Sequence, residues 1–371
     1  MISTIPHSTR MYLTCTMHSA RSLAIGFAVS CLLLCCNDLH AQPAGGYRLD
    51  ETVTLPSTNT SWDYIELDQA RGYLFVARRG DGLTIYDVRK KTLVANVSGT
   101  TGANGILLLP ALDRILIANT DGTVTVIAYK SLRVVDRVKV DNASLNAGFI
   151  EPMSGKVFLV TATREKVSNL FQVDPQTGAT LAKFEFATTK IDTPAVDGKG
   201  TIFIPMRYQN QIARVSVSDM KASAVWPTGD CVNPVAMEYD QAHNRLLVGC
   251  RGEKPVFIAM DASTGKIVST LPIGRGVDGL VVDHENRMIV TSNGADANLV
   301  VIRQHSADEY KIVEVVATRP MARTMAMDQS SKRLFLVTAE HTTGMTGADG
   351  KSLPPHFHTN TFSILSYAKT H

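Results

Sequence analysis

A polar residue recurs along this chain near the start of each of seven similar segments. The side chains are carboxylates, amides and one guanidinium, all of which can hold a ligand by hydrogen bonds or charge. The seven positions are Asp63, Asn104, Asn146, Asp192, Asn233, Asp278 and Arg323. If the fold gathers these positions, they form a ring that can bind a small ligand, a cation or a peptide tip. The alternative is a ring that is polar only because it borders channel water and because Asn and Asp favour tight turns.

The segments that carry these residues repeat with a nearly constant period. Each begins with an alternating apolar stretch that ends on Asp or Pro, and successive ends are 42 to 45 residues apart: Asp68, Pro110, Pro152, Asp197, Asp240, Asp283 and Asp328. A polar turn, a β-branched strand, a Gly/Asp/Asn loop and further strands follow. Four short strands in about 43 residues are typical of one β-propeller blade. We therefore predict an all-β, seven-bladed β-propeller of four-stranded antiparallel blades in a single domain over residues 42–371.

The two ends of the chain predict how the ring closes. The seventh segment has only three strands before His371, whereas residues 47–55 belong to no segment. Their sequence, YRLDETVTL, matches YKIVEVVAT at 310–318, the fourth strand of the sixth segment. We predict that residues 47–55 complete the last blade, because this pairing removes two open sheet edges.

Basic residues follow the second strand of the first, third, fourth and fifth segments. In a propeller these loops share a face with the polar ring, and they include Arg78, Arg207 and Arg251, while Trp62 stands beside Asp63. A basic rim with an aromatic residue favours carboxylates, phosphates and other anions, although scattered solvated charge is the alternative. We add these four residues to the ring as the candidate ligand site. Nucleic acid is not expected, because aromatic residues make up only 6% of the chain and are not clustered.

A second candidate site lies in a long loop of the seventh segment. This loop, between 334–339 and 361–365, carries His341, His356 and His358. In an extended chain His356 and His358 would point to one side, and three imidazoles suit Zn²⁺ or Cu²⁺. The alternative is a loop whose histidines are merely solvated.

Recognised catalytic motifs do not accompany these sites. The sequence has no GxSxG, HExxH or Walker pattern. Asp192, Asp278, Glu340 and His341 could still form an acid/base set at the channel mouth. We expect no cofactor, with a divalent metal as the alternative.

Residues 1–41 have the pattern of a signal peptide. Arg10 and Arg21 precede a short apolar run at 23–36, and Ala41 is the small residue before the expected cleavage. The run is too short to span a bilayer, although an uncleaved anchor is the alternative. We therefore expect a periplasmic or secreted protein, and a monomer, without a membrane span after cleavage.

Two cysteines remain after this segment. In an oxidising compartment Cys231 and Cys250 are expected to form one disulfide. The net charge of +3 and the 44% apolar content exclude a disordered chain and a strongly basic nucleic-acid module.

Several repeated stretches carry a family resemblance. They are the second strands LIANT and IVTSN, the turns at 174–178 and 261–265, and the C-terminal block at 272–283, 292–294 and 322–328. In these stretches the chain resembles the YVTN/YncE-like family of exported bacterial seven-bladed β-propellers. The resemblance implies a binding scaffold. We therefore expect a protein that binds a small polar or anionic ligand at the channel mouth. The alternatives are a lactonase-like, metal-assisted propeller hydrolase at the same mouth and a module that binds another envelope protein.

Overall fold

A computed structural model of the protein describes residues 46–162, 165–347 and 350–370. The predicted signal peptide and its cleavage site near Ala41 lie outside the described residues. Within those ranges the strands form seven four-stranded antiparallel sheets in a ring, which confirms the predicted seven-bladed β-propeller. No helix in the described part of the chain has the length and hydropathy needed to cross a bilayer.

Six blades are each built from four consecutive strands, ordered from the channel outward. Blades one to three consist of β2 (Ile65–Asp68), β3 (Tyr73–Arg78), β4 (Gly82–Asp87) and β5 (Thr92–Val97); β6 (Ala103–Leu109), β7 (Arg114–Asn119), β8 (Thr123–Ala128) and β9 (Val134–Lys139); β10 (Leu145–Glu151), β11 (Lys156–Thr161), β12 (Ser168–Val173) and β13 (Thr180–Phe186). Blades four to six consist of β14 (Ala195–Val196), β15 (Thr201–Met206), β16 (Gln211–Ser216) and β17 (Ala222–Pro227); β18 (Pro234–Asp240), β19 (Arg245–Cys250), β20 (Val256–Asp261) and β21 (Ile267–Pro272); β22 (Val277–Asp283), β23 (Met288–Asn293), β24 (Asn298–Gln304) and β25 (Tyr310–Ala317). Two short 3₁₀ helices span Pro110–Leu112 and Arg207–Gln209.

The seventh blade joins both ends of the chain. From the channel outward it contains β26 (Met325–Met327), β27 (Leu334–Thr338), β30 (Phe362–Lys369) and β1 (Tyr47–Leu55). The bounds of β1 are those predicted from the sequence, and it pairs antiparallel with β30 along its length. A short hairpin of β28 (His341–Thr342) and β29 (His356–Phe357) lies in the loop between β27 and β30.

Apolar side chains fill the spaces between neighbouring blades. The second strand of each blade is buried on both faces, which explains its uninterrupted β-branched and aromatic sequence. One cluster contains Leu74 and Val76 of blade one together with Val337 and Ile364 of blade seven. Each such fully buried side chain contributes about 1.5–3 kcal/mol, so hydrophobic packing as well as strand pairing closes the ring.

The predicted disulfide is present. Cys231 and Cys250 are fully buried, 19 residues apart, and connect the loop that enters β18 to the end of β19. Closing a loop of about 20 residues restricts the unfolded chain and stabilises the fold by about 3 kcal/mol.

We expect the Cys231→Ser/Cys250→Ser double variant to lose about this much free energy of unfolding in urea. A reducing agent should lower the urea concentration at the midpoint of unfolding for the wild type but not for the variant. Equal midpoints for the wild type and the variant without reducing agent would contradict the prediction.

Candidate functional site at the channel mouth

The inner strands carry β-bulges at one end of the channel. The extra residues are Asn104 in β6, Val235 in β18 and Asp278 in β22, and β10 has an equivalent irregularity beside Asn146. A bulge breaks the two-residue alternation of a strand and re-aims its side chains. Val235, Asp278 and Asn146 consequently line a cavity at this end of the channel.

Glycines allow neighbouring inner strands to approach closely at the bulges. A Cβ on Gly105 would lie 2.0 Å from the carbonyl oxygen of Asn146 in the next blade. A Cβ on Gly279 would lie 3.0 Å from the carbonyl oxygen of Arg323. The sequences Asn104-Gly105 and Asp278-Gly279 therefore combine a polar side chain with the close backbone contact that narrows the channel.

We call this cavity the mouth chamber. It has a volume of about 190 Å³. Its lining includes five basic side chains and three carboxylates, an excess of two positive charges: Arg79, Lys190, Arg207, Arg251 and Arg323, with Asp63, Asp192 and Asp278. The chamber is therefore cationic, although the whole chain is close to neutral.

Three ion pairs fix basic side chains of the mouth chamber, one within blade one and two between neighbouring blades. Arg79 Nη2 lies 2.8 Å from Asp63 Oδ2, and Arg323 Nε lies 2.8 Å from Asp278 Oδ2. Arg251 also pairs with Asp278, so two guanidinium groups from different blades share one carboxylate. The pairs hold the basic side chains in place without cancelling the positive charge.

Asp192 is paired more loosely, with two basic groups of its own blade. Its carboxylate oxygens lie 3.3 Å from Arg207 Nη1 and 3.5 Å from Lys190 Nζ. Burial raises the pKa of Asp192 against the lowering effect of these cations. Burial, together with the charge of Asp278, likewise raises the pKa of Asp63. Both carboxylates consequently lose their charge more easily than an exposed Asp, which makes the chamber more positive as the pH falls.

Two nitrogen donors of residues that line the mouth chamber have no partner among the described residues. They are Asn146 Nδ2 and Arg207 Nε, both fully shielded from bulk solvent, and the Asn146 side chain as a whole is 5% exposed. The orientation of Asn146 follows from its neighbours. Arg79 Nε donates to Asn104 Oδ1 (2.9 Å), and Asn104 Nδ2 donates to Asn146 Oδ1 (3.4 Å). This relay leaves the Asn146 amide nitrogen as a free donor, and an unpaired buried donor costs about 1–3 kcal/mol.

Seven of the eleven residues predicted for the ligand site line the mouth chamber. They are Asp63, Asn146, Asp192, Arg207, Arg251, Asp278 and Arg323. Asn104 stands behind the lining and orients Asn146. Asn233 has a left-handed backbone (φ 55°), and its N–H donates to Asn210 Oδ1, so it serves the turn before β18.

The structure places the other two predicted residues in the protein interior. Trp62 is 1% exposed and packs on Phe357, with ring centroids 4.8 Å apart. Arg78 is 2% exposed and pairs with Asp81 inside blade one. The side chain that reaches the chamber is the adjacent Arg79.

Arg79 lines the chamber but was not among the predicted site residues, although the sequence contained a signal for it. Adjacent residues of an extended chain point in opposite directions, so only one of Arg78 and Arg79 could face the channel. Lys190 also lines the chamber, two residues before the predicted Asp192. Tyr64, Thr193 and Thr324 complete the polar lining.

Tyr64 divides the channel into two parts. Its hydroxyl lies 2.9 Å from Thr193 Oγ1, and this hydrogen bond joins blade one to blade four. Blades one and four are not neighbours in the ring, so the contact must cross the channel. A second cavity of about 330 Å³, which we call the lower chamber, lies on the other side of these two residues.

Two carboxyl groups of the lower chamber titrate near neutral pH. Burial raises the pKa of Glu66 and of Glu238 to about 7, and the charges of Glu238 and Asp68 add to the effect on Glu66. Both side chains are exposed to the channel, but the channel walls separate them from most of the surrounding solvent.

These pKa values predict a pH-dependent contribution to stability. The ordinary Glu pKa is 4.5, so between that pH and about 7 the folded state binds more protons than the unfolded state, and rising pH lowers the free energy of unfolding. The Glu66→Gln/Glu238→Gln variant has no titrating groups at these positions and therefore does not lose this free energy of unfolding as the pH rises. We expect its stability relative to the wild type to increase from about pH 5 to pH 8 in urea titrations. A difference that does not change with pH would contradict the pKa assignment.

The three predicted metal-binding histidines have separate partners. His356 Nδ1 lies 2.7 Å from Asn59 Nδ2, His358 Nε2 lies 2.9 Å from Thr342 Oγ1, and His341 Nδ1 lies 3.3 Å from the Ala339 oxygen. Among the described residues no group of three His, Cys, Asp or Glu side chains is arranged to hold a metal ion. The histidine metal site stays a prediction without support from this geometry.

The predicted acid/base set is divided between two cavities. Asp192 and Asp278 line the mouth chamber, whereas Glu340 and His341 line a cavity of about 580 Å³ beside blade seven. The four side chains therefore do not share one cavity.

Comparisons with known proteins support the fold. No family model matches the chain, and no curated protein matches its sequence. A chain in the crystal structure of the mitotic checkpoint complex is similar in structure, with a TM-score of 0.69 and 11% sequence identity over 96% of this chain and 99% of that chain. At this identity the similarity shows a shared fold alone.

Proposed function

We propose that this protein is an exported binding propeller that holds a small anionic ligand in the mouth chamber. The ligand carries a carboxylate, phosphate or similar group. The observation that carries the proposal is the pair of buried, unpartnered donors, Asn146 Nδ2 and Arg207 Nε, in a chamber with an excess of positive charge. An anion supplies the missing acceptors, and hydrogen bonds from charged donors are about twice as strong as neutral ones.

The other parts of the proposal are membership of the YVTN/YncE-like family, cleavage near Ala41, and a monomer in the periplasm or outside the cell. The repeated strand and turn sequences support the family. The Cys231–Cys250 disulfide supports export, because disulfides persist in oxidising compartments. We prefer binding to a lactonase-like hydrolysis because the four acid/base residues lie in two cavities. No cofactor is part of the proposal.

Calorimetric titration with malonate and with inorganic phosphate, at constant ionic strength, tests the proposal. We expect one site for at least one of the two anions and binding at least about tenfold weaker in Arg207→Gln, since a hydrogen bond to a charged group contributes about 1.5–3 kcal/mol. Arg275→Gln is the matched control, because Arg275 is 69% exposed and lies outside the chamber lining.

The pH dependence of binding provides a second test. Since burial raises the pKa of Asp63 and Asp192, we expect anions to bind more tightly in mild acid than at alkaline pH. Absence of binding by both anions, or equal losses in Arg207→Gln and Arg275→Gln, would contradict the proposed site.

A further inference from the structure

The lower chamber opens at the end of the propeller opposite the mouth chamber. Gln69, His284 and Gln329 lie at this end, in the turns between first and second strands, and all three are exposed. Gln69 Nε2 donates to the Met327 oxygen (2.9 Å), and Gln69 Oε1 accepts from the Gln329 N–H (3.0 Å). These bonds across blades one and seven order the rim of the opening.

Two carboxylates face this chamber from separated blades. Glu66 lies on β2 of blade one and Glu238 on β18 of blade five, and both line the cavity. In each strand the residue before the glutamate, Ile65 or Met237, is buried, whereas the glutamate itself is exposed. The two carboxylates are close enough for the charge of Glu238 to raise the pKa of Glu66.

The glutamates occupy a position that is apolar in other blades. On the first strand of their blades, Glu66 and Glu238 each pair with the second-strand residue nine positions later. The first-strand residues with the same pairing in blades two, three and six are apolar: Leu107, Phe149 and Val281. Packing of the inner strands therefore does not require a carboxylate at this position. The charge is a specific feature of blades one and five.

The described residues provide no cation for these two carboxylates. Neither side chain forms an ion pair or a hydrogen bond within the described ranges, and no nearby positive charge lowers the pKa of either carboxyl group. The lining contains no Lys or Arg, and its third carboxylate, Asp278, is paired with Arg251 and Arg323. The chamber therefore has two uncompensated acidic groups.

A separate observation indicates a ligand at the inner end of the chamber. Thr324 is 6% exposed, its Oγ1 has no hydrogen-bond partner among the described residues, and it lies where the two chambers meet, because it lines both. The remaining wall is mostly hydrocarbon and thioether, including Met237, Met325 and Leu280. Calcium requires six to eight oxygen ligands, whereas this wall suits an organic cation with an apolar body.

We propose that the lower chamber binds an organic diamine. One ammonium group pairs with Glu66 and the other with Glu238, the intervening methylene groups contact Met237 and Met325, and Thr324 Oγ1 is available to accept a hydrogen bond from an ammonium group. The two glutamates of this site are distinct from Asn146 and Arg207 of the anion site, although Asp278 and Thr324 line both chambers.

Calorimetric titration of the full chain with 1,4-diaminobutane, butylamine and calcium chloride tests this site. We expect the diamine to bind at least about tenfold more tightly than butylamine, because its second ammonium group forms a second ion pair; a factor of ten corresponds to about 1.4 kcal/mol. Glu66→Gln and Glu238→Gln should each remove this advantage. Glu285→Gln is the matched control, because Glu285 is 77% exposed on the turn next to His284.

Two further measurements make the result unambiguous. Thermal unfolding of each glutamine variant should remain cooperative, and Arg207→Gln should bind the diamine as the wild type does even if it no longer binds anions. Equal affinities for butylamine and the diamine, tighter binding of calcium than of the diamine, or unchanged binding in both glutamine variants would overturn the proposal.

Discussion

Deleting residues 46–55 is expected to abolish cooperative unfolding of the propeller. The deletion removes β1, whose eight residue pairs with β30 complete blade seven. It also removes Tyr47 and Leu55, which are 5% and 6% exposed, from two different interblade clusters. The backbone N–H of Tyr47 donates to Glu314 of blade six at 3.0 and 3.1 Å, so contacts to the neighbouring blade are lost as well. We expect a loss of at least about 5 kcal/mol, comparable to the whole stability of many domains.

The deletion is tested in a chain that begins at Pro56, and its matched control begins at Gly46, so that the two differ only by residues 46–55. Urea unfolding followed by far-UV circular dichroism should give one sharp transition for the control. The shorter chain should aggregate, because the edge of β30 is left unpaired, or unfold without a cooperative transition. If the two chains unfolded at the same urea concentration, β1 would not be required to close the ring.

Arg78→Ala is expected to reduce the free energy of unfolding by about 3–5 kcal/mol. Arg78 is 2% exposed and pairs with Asp81, and its Nη2 donates to the Pro56 oxygen at 2.8 Å. Its guanidinium also lies 4.5 Å from the centre of the Phe362 ring on β30. Removal of the side chain leaves the Asp81 carboxylate, which is only 13% exposed, without its cation and breaks contacts between blades one and seven.

Arg89→Ala provides the control for Arg78→Ala. Arg89 is exposed and donates to the oxygens of Gln69 and Ala70, so its removal should cost less than about 1 kcal/mol. Urea unfolding of both variants measures the difference. A loss below about 1 kcal/mol for Arg78→Ala would show that the buried ion pair contributes no more than an exposed one.

The blades could be predicted because their sequence signals are local. A strand buried on both faces reads as a continuous β-branched run, and turns between such strands recur at a fixed period. The last blade required a comparison of 47–55 with 310–318, and this was sufficient to predict β1 with its observed bounds. Contacts between distant parts of the chain carry no such local signal.

The candidate site could be predicted only in part for the same reason. Asp278 was predicted because it is polar near the start of a segment, but the bulge that aims it into the channel is a feature of strand pairing. Trp62 was predicted to lie at the rim, but Phe357 of the inserted loop covers it. Glu66 and Glu238 were missed because the pairing across the channel, and hence the lower chamber, follows from the ring and not from either segment.

The most direct test of the anion site is a crystal structure of the protein soaked with sodium selenate. The anomalous signal of selenium locates the anion without reference to the surrounding water. We predict a selenium peak in the mouth chamber, with selenate oxygens at hydrogen-bonding distance from Asn146 Nδ2 and Arg207 Nε. A chamber that holds only water while selenate occupies other sites, or an Asn146 amide that donates within the protein, would contradict the proposed function.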